Sequence, residues 1–452
     1  MSVADLVERM TPMLPDPVDE LQVAALLESQ GVTDQAAVDE YGMADVFALA
    51  HEVYGKLPSS PGPTPEAGPR GRTWHDVLHG PVYLLPTTVY PAVFAVLGAA
   101  DAAVAMVLAT TAGWIWGAGT SWVAHQLVGV GAARSGGRRL LRLGWYGIAV
   151  AASVALPVLF LPHGFGQYLF VLGQLGVQLA SGVLLFHRKE LWLVLSVVPA
   201  GVAGLTHLAS GYSEVLVPTV LACGGATVVL ALELARRAGR DARDREGVRV
   251  PTPRNLALGA APSVLYAALC AGFLLYTDVR YVLGALDLAV AAAPLILGMG
   301  VVEWRANRLF ERAEDLLGGD LLPTEFAELA WRNLLRELAN CLVALGALGL
   351  VVLGLLRWFG VLTTRGALLL DAHVLLGGAF FLGFVLIRTG GLVTCLAILS
   401  GVLLADVVVA ELAADALAPQ GHAVVFLPTV ALLSVLLLTA LRRSVGQVRH
   451  YR

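Results

Sequence analysis

With 452 residues, a hydrophobic fraction of 57% and only 14% charged residues, the chain has too few polar side chains for a water-soluble globule, which carries about 25% charge. Mean hydropathy is +0.74, and the part that follows roughly 72 N-terminal residues of different character has room for about twelve membrane spans of ~20 residues. The formal net charge of −4 is unevenly divided: residues 1 to 56 hold eleven Asp or Glu against Arg9 and Lys56, a local charge of −9, leaving +5 on the remainder. Soluble enzymes and nucleic-acid-binding proteins are excluded on these grounds, and neither a phosphate-binding glycine loop nor a nucleophile elbow is present.

Residues 1 to 56 predict an acidic helical module with helices over Val3 to Met10, Pro17 to Ser29, Thr33 to Glu40 and Met43 to Lys56. Leu21, Val23, Ala24, Leu26 and Leu27 supply one apolar stripe, and Val46, Phe47, Leu49, Ala50, Val53 and Tyr54 another. Gly31 and Gly42 stand where helix C-terminal caps belong, and Thr33 where an N-cap does. Asp5 and Glu8 interrupt any basic start and apolar run, so no cleaved signal is expected. Residues 57 to 73, with five prolines and three glycines, read as a linker.

Apolar runs then predict spans near 80 to 98, 102 to 124, 144 to 162, 167 to 186, 190 to 208 and 215 to 235, a first lobe over 80–235. A basic connection over 236–256 follows. The second lobe, 257–442, has spans near 257 to 276, 281 to 302, 334 to 356, 366 to 387, 390 to 412 and 422 to 441, and a basic tail over 443–452 ends the chain. Arginine concentrates after even-numbered spans: Arg134, Arg138 and Arg142 after the second, Arg188 after the fourth, Arg236 and Arg237 after the sixth, Arg305 to Arg336 after the eighth, Arg388 after the tenth, Arg442 and Arg443 after the twelfth. Because positively charged loops stay in the cytoplasm, both termini are expected there, in a multi-pass protein of the plasma membrane.

An internal repeat accompanies this count. Val96 to Ala105 reads VLGAADAAVA and Val282 to Ala291 reads VLGALDLAVA, matching at eight of ten positions. The expected fold is therefore all-α, about twelve transmembrane helices in two pseudo-symmetric six-helix lobes with a small N-terminal helical module. Two copies with an even number of spans share one orientation, the frame in which rocking of one lobe against the other exposes a site to alternate sides.

The run SWVAHQLVGVGAARSGGRRLLRLGWYG joins spans two and three by a Gly-rich, arginine-bearing turn, and a long connection from Glu303 to Asn333, containing EFAELAWRN, lies between spans eight and nine. With twelve spans, residues 80 to 442 resemble the multidrug/oligosaccharidyl-lipid/polysaccharide exporter superfamily, and within it the polysaccharide flippases. The resemblance implies movement of a lipid-linked oligosaccharide. The chain departs from that family by its acidic module, and no strict motif carries over individual functional residues. The major facilitator superfamily is the competing resemblance: Gly131 to Arg139 is similar to its glycine/arginine turn but lacks the acidic residue.

Ionisable groups at membrane depth are costly and mark candidate function. Asp371 and His373 in span ten and Asp406 in span eleven are the candidates for ion coupling; helix-dipole stabilisation near a helix start is the structural alternative for Asp371. Gln174 and Gln178, four residues apart on span four, share a helix face and could bind sugar hydroxyls or another helix. Asp101 and Asp287, related by the repeat, are candidates for gating or for N-capping. Arg134, Arg138 and Arg142 are expected to set topology and meet anionic lipid. Trp304 to Leu317 predicts an interfacial helix. Cys223, Cys270, Cys341 and Cys395 lie in apolar stretches without metal-ligand spacing, and His75 with His79 lacks a third ligand, so no metal or cofactor is expected.

The leading expectation is a non-enzymatic transporter of flippase or exporter type, coupled to an ion gradient and embedded in the lipid bilayer. The alternative is a membrane scaffold whose residues 1–56 recruit a cytoplasmic protein partner. An intramembrane glycosyltransferase is disfavoured by the shortness of the expected outer loops.

Overall fold

The structure, a computed structural model, describes residues 3–11, 20–56, 85–160, 162–238, 244, 251–281, 288, 290–317, 322–412 and 423–451. Among these there are helices and short connections and no strand. The chain divides into two compact units, Met1–Arg72 and Thr73–Arg452.

In the first unit, α1 (Val3–Met10), α2 (Glu20–Ser29), α3 (Asp34–Tyr41) and α4 (Val46–Lys56) enclose Leu6, Val23, Leu27, Leu49 and Val53. Thr33 caps α3 by accepting from the Ala36 amide at 3.3 Å, and Gly42 ends it at φ 68°, a left-handed conformation that costs glycine nothing. The Asp34 carboxylate accepts from the Val46 amide at 3.0 Å, so the start of one helix caps the start of another. Leu21 and Phe47, expected on the apolar stripes, are exposed; each lies roughly 200° around its helix from a buried neighbour two positions on, Val23 or Leu49.

Among the described residues the second unit has short 3-10 turns, the first at Leu85–Val89, and twelve α-helices: α5 (Tyr90–Leu97), α6 (Ala99–Gly129), α7 (Ala133–Val154), α8 (Gly164–Phe186), α9 (Glu190–Ala209), α10 (Val217–Ala238), α11 (Pro253–Tyr281), α12 (Ala293–Leu317), α13 (Pro323–Trp358), α14 (Thr364–Arg388), α15 (Leu392–Leu412) and α16 (Ala423–Ser444). Nine helices among the described residues are long and apolar enough to cross a membrane, and α5, α6 and α12 are not among them.

Three expectations require correction. The turn after span two is confined to residues 130–132, with Gly131 at φ 84°: α6 ends at Gly129 and α7 begins at Ala133, so Arg134, Arg138 and Arg142 lie outside it and form an exposed stripe along α7, with Gly136, Gly137, Leu140 and Gly144 buried on its other side. The long connection over 303–333 is helical at all of its described residues but Leu322, because Trp304 to Leu317 continues α12 and Pro323 opens a 36-residue helix. Nothing in 304–317 breaks a helix, and proline is well accommodated in a first helical turn. The first expected span is, over its described part, the 3-10 turn and the eight-residue α5, too short to cross a bilayer alone. Asp287, His75, His79, the linker 57–73 and most of the 236–256 connection lie outside the described residues.

Helix packing follows one order twice. In the second half of this unit α12 packs on α13 and α14, α13 on α14, α14 on α15 and α16, α15 on α16, and α11 on α15. In the first half α6 packs on α7 and α8, α7 on α8, α8 on α9 and α10, and α9 on α10, while α9 also meets the 3-10 turn and α5. Every packed pair of the second half thus has its counterpart six elements earlier. The halves join through α6 and α11, antiparallel partners whose close approach depends on glycine: a Cβ on Gly119 would stand 2.7 Å from Val264 Cγ2, and one on Gly259 would collide with the Trp122 ring. Val123, Leu127, Leu256 and Ala260 continue this seam.

Candidate functional site

A buried ion cluster forms between the second half of α12 and the first half of α13, beside the end of α14. Arg305 and Arg312, seven residues apart, face the same side of α12 because two turns separate them. Both reach Glu337 on α13: Arg305 Nη1 donates to Oε2 at 3.3 Å and Arg312 Nη1 donates to Oε1. Glu337 is fully buried, whereas the two arginine side chains keep 22% and 27% of their surface.

A second arginine contact lies beside the first. Arg388, in the last turn of α14, donates from Nη1 to Asn307 Oδ1 at 3.2 Å, and its guanidinium lies 3.8 Å from the Phe310 ring centroid, a cation–π distance. The Phe310 ring also meets Tyr451 at 5.5 Å, and Tyr451 lies 5.6 Å from Phe326 while its hydroxyl donates to the Val445 carbonyl at 2.8 Å. The end of the chain is thereby folded onto α12 and α13. Two guanidinium groups thus share one carboxylate while a third, Arg388, rests on Asn307 and Phe310, and Arg308 and Arg336 are exposed on the same helices. Arg305 Nε and Asn307 Nδ2 are buried with no hydrogen-bond partner among the described residues. Glu303, Glu311, Glu314 and Asp315 on α12 offset these cations, so the cluster is an ion network and not a patch of one sign.

Sequence reasoning missed Glu337 and placed Arg305 and Arg312 on an interfacial helix, Trp304 to Leu317, separate from the span before it. The available signal was their seven-residue spacing in a segment without a helix breaker, followed by an acidic residue in the next helix.

The residues singled out from sequence are more scattered. Asp371 is exposed, while His373, two positions on and therefore on another face of α14, is fully buried. Its Nδ1 lies 2.7 Å from the Leu369 carbonyl and its ring 5.6 Å from that of Phe426. Asp406 is buried on α15 at 1% exposure. Gln178 donates from Nε2 to the Thr110 carbonyl of α6 at 3.3 Å, its amide filling the notch left by Gly113. Gln174 interacts with the Tyr90 hydroxyl. Both amides thus tie α8 to its neighbours. Asp101 is exposed in the first turn of α6, whose N-cap is Gly98. No group of three metal-ligating side chains occurs among the described residues.

Comparison with family models, with curated proteins and with solved structures finds no match to the chain. The class is defined by the helices themselves: this is a multi-pass helical membrane protein.

Proposed function

We propose that the chain is a transporter of flippase or exporter type, moving an anionic amphiphile such as a lipid-linked oligosaccharide by alternating access. The observation that carries this reading is the packing order repeated six elements apart. It supports two six-helix lobes of like orientation, joined along α6 and α11, and such a duplicated frame can rock about its seam. The resemblance to polysaccharide flippases supplies the substrate class, and the exposed Arg308 and Arg336, at an arginine-rich end of α12 and α13, offer guanidinium groups to a substrate bearing phosphate. Positive-inside orientation puts that arginine-rich end in the cytoplasm of a plasma-membrane protein. Asp406, buried in an apolar helix, and His373 are the residues assigned to ion coupling.

The test is made on a variant with all four native cysteines replaced, carrying Gly119→Cys and Val264→Cys across the seam. In proteoliposomes with a fluorescent lipid-linked glycan, translocation should follow an imposed proton or sodium gradient, stop on oxidation of the new pair and return on reduction. Absence of gradient-dependent movement, or movement indifferent to the cross-link, overturns the reading.

The second reading, a scaffold that recruits a cytoplasmic protein, is favoured by the separate buried core of the acidic first unit. Deleting residues 1 to 72 distinguishes them: a transporter keeps its flux, whereas a scaffold loses its phenotype with no flux to measure.

A further inference from the structure

A cavity of about 550 Å³ lies where α14 ends, α15 begins and α16 ends, on the side of α14 that carries Thr389. Its polar lining includes Arg443, Gln447, His450, Thr394 and Thr439, and no acidic residue is part of it. Gly390, at φ 77°, turns the chain between α14 and α15, and the first helical bond of α15 runs from the Cys395 amide to the Gly391 carbonyl. The amides of residues 392 to 394 therefore precede the helix ladder and add their partial positive charge beside Arg443.

The lining changes with depth. Thr394, Arg443 and Gln447 lie close to the helix ends, whereas Ile398, about 6 Å beyond Thr394 along α15, and Leu436, about 10 Å beyond Arg443 along α16, line the cavity further in. A cationic, hydroxyl-bearing mouth above an apolar floor has the polarity profile of a lipid at the edge of a bilayer: headgroup phosphate outward, start of the acyl chains inward. Thr389, buried behind this wall, is already bonded to the Val385 carbonyl and to Ser444 Oγ at 3.1 Å each, so it fixes α14 against α16 and leaves the mouth to Arg443 and its neighbours.

We infer that this cavity binds a phosphate-bearing anion, its guanidinium and hydroxyl mouth taking the phosphate and its apolar floor favouring a phospholipid headgroup over free phosphate. The inference requires only that the protein sits in a membrane and is independent of transport.

The experiment is calorimetric titration of the full-length protein in neutral detergent with dioctanoyl phosphatidylglycerol and, separately, with inorganic phosphate. Saturable binding is expected, weakened about tenfold by Arg443→Gln, the size of one lost charge-assisted hydrogen bond. Ala440→Phe, which fills the cavity without altering charge, should weaken it comparably. Arg442→Gln, at an adjacent exposed arginine outside the lining, should leave it unchanged. Tighter binding of the lipid identifies a headgroup as the source, and equal binding of inorganic phosphate identifies a soluble one. No saturable binding of either, or equal losses from Arg442→Gln and Arg443→Gln, overturns the site.

Discussion

Glu337 of α13 is fully buried and accepts from Arg305 of α12 at 3.3 Å while Arg312, two turns on, closes on its other oxygen. Glu337→Gln keeps the shape of the side chain and removes its charge, so two guanidinium groups lose their counter-ion. Breaking a wholly buried pair costs about 3–5 kcal/mol. Here the arginines retain contact with solvent, and the expected loss is on the order of 2–3 kcal/mol. It should appear as a lower thermal midpoint of the detergent-solubilised protein. Replacing Glu337, Arg305 and Arg312 together by leucine should recover much of it, since an apolar core can substitute for an ion network. A midpoint unmoved by Glu337→Gln would show the cluster to be energetically idle.

The reason this cluster was hidden in the sequence is physical. Trp304 to Leu317 holds six charged residues, so its hydropathy falls below that of a span and it reads as a separate interfacial helix. Helix continuity, however, depends on backbone propensity and breakers, and the segment has neither glycine nor proline. By contrast α14 and α15 fall within two residues of their expected bounds, because Thr363 accepts from the Gly366 amide at the start of one and Gly390-Gly391 separates it from the other. Apolar runs locate helices well; they say little about which charged residues meet across them. The partnership of Gln178 with α6 likewise depends on helix rotation, which a single low-contrast apolar sequence leaves undefined, whereas the separation of Asp371 from His373 follows from their two-residue spacing.

Gly259 on α11 faces the indole of Trp122 on α6 so closely that an added methyl would collide with the ring tip. Overpacking of this sort costs typically about 1–3 kcal/mol because a rigid aromatic cannot fold out of the way. Gly259→Ala should lower the thermal midpoint, and Trp122→Phe, with its shorter ring, should restore part of it in the double variant. The diagnostic quantity is the coupling between the two substitutions: simple additivity would mean that Trp122 already has space to retreat.

Asp244 reaches the first turn of α7, accepting from the Ser135 amide at 2.9 Å and from the Ser135 hydroxyl at 2.8 Å. These bonds, with Arg134 nearby, hold its carboxyl below the usual aspartate range. A depressed value in the folded protein means that the contact is complete at neutral pH, persists down through about pH 4, and is lost only as pH falls through the depressed value. Hydrogen exchange over residues 131 to 142, corrected for intrinsic rate, should therefore show constant protection from pH 7 to about 4 and a decline below it. Asp244→Asn should reduce protection at neutral pH and abolish the decline. A transition above pH ~5 in the wild-type chain would assign the protection to another group.

Leu49 of α4 has no exposed surface and packs with Val23, Leu27 and Val53 in the core of the first unit. A core this small has little reserve: burying a limited fraction of its surface, a domain of this size is marginal, while deletion of a buried leucine side chain costs about 2–5 kcal/mol. Leu49→Ala should consequently unfold the first unit. Because that unit has its own core, the damage should stop there: limited proteolysis should cleave rapidly within residues 1 to 56 while the membrane-embedded fragment from α6 to α16 survives at its wild-type rate. Loss of both together would show that the two units depend on each other for stability, and survival of both would place Leu49 outside the interactions that hold the module folded.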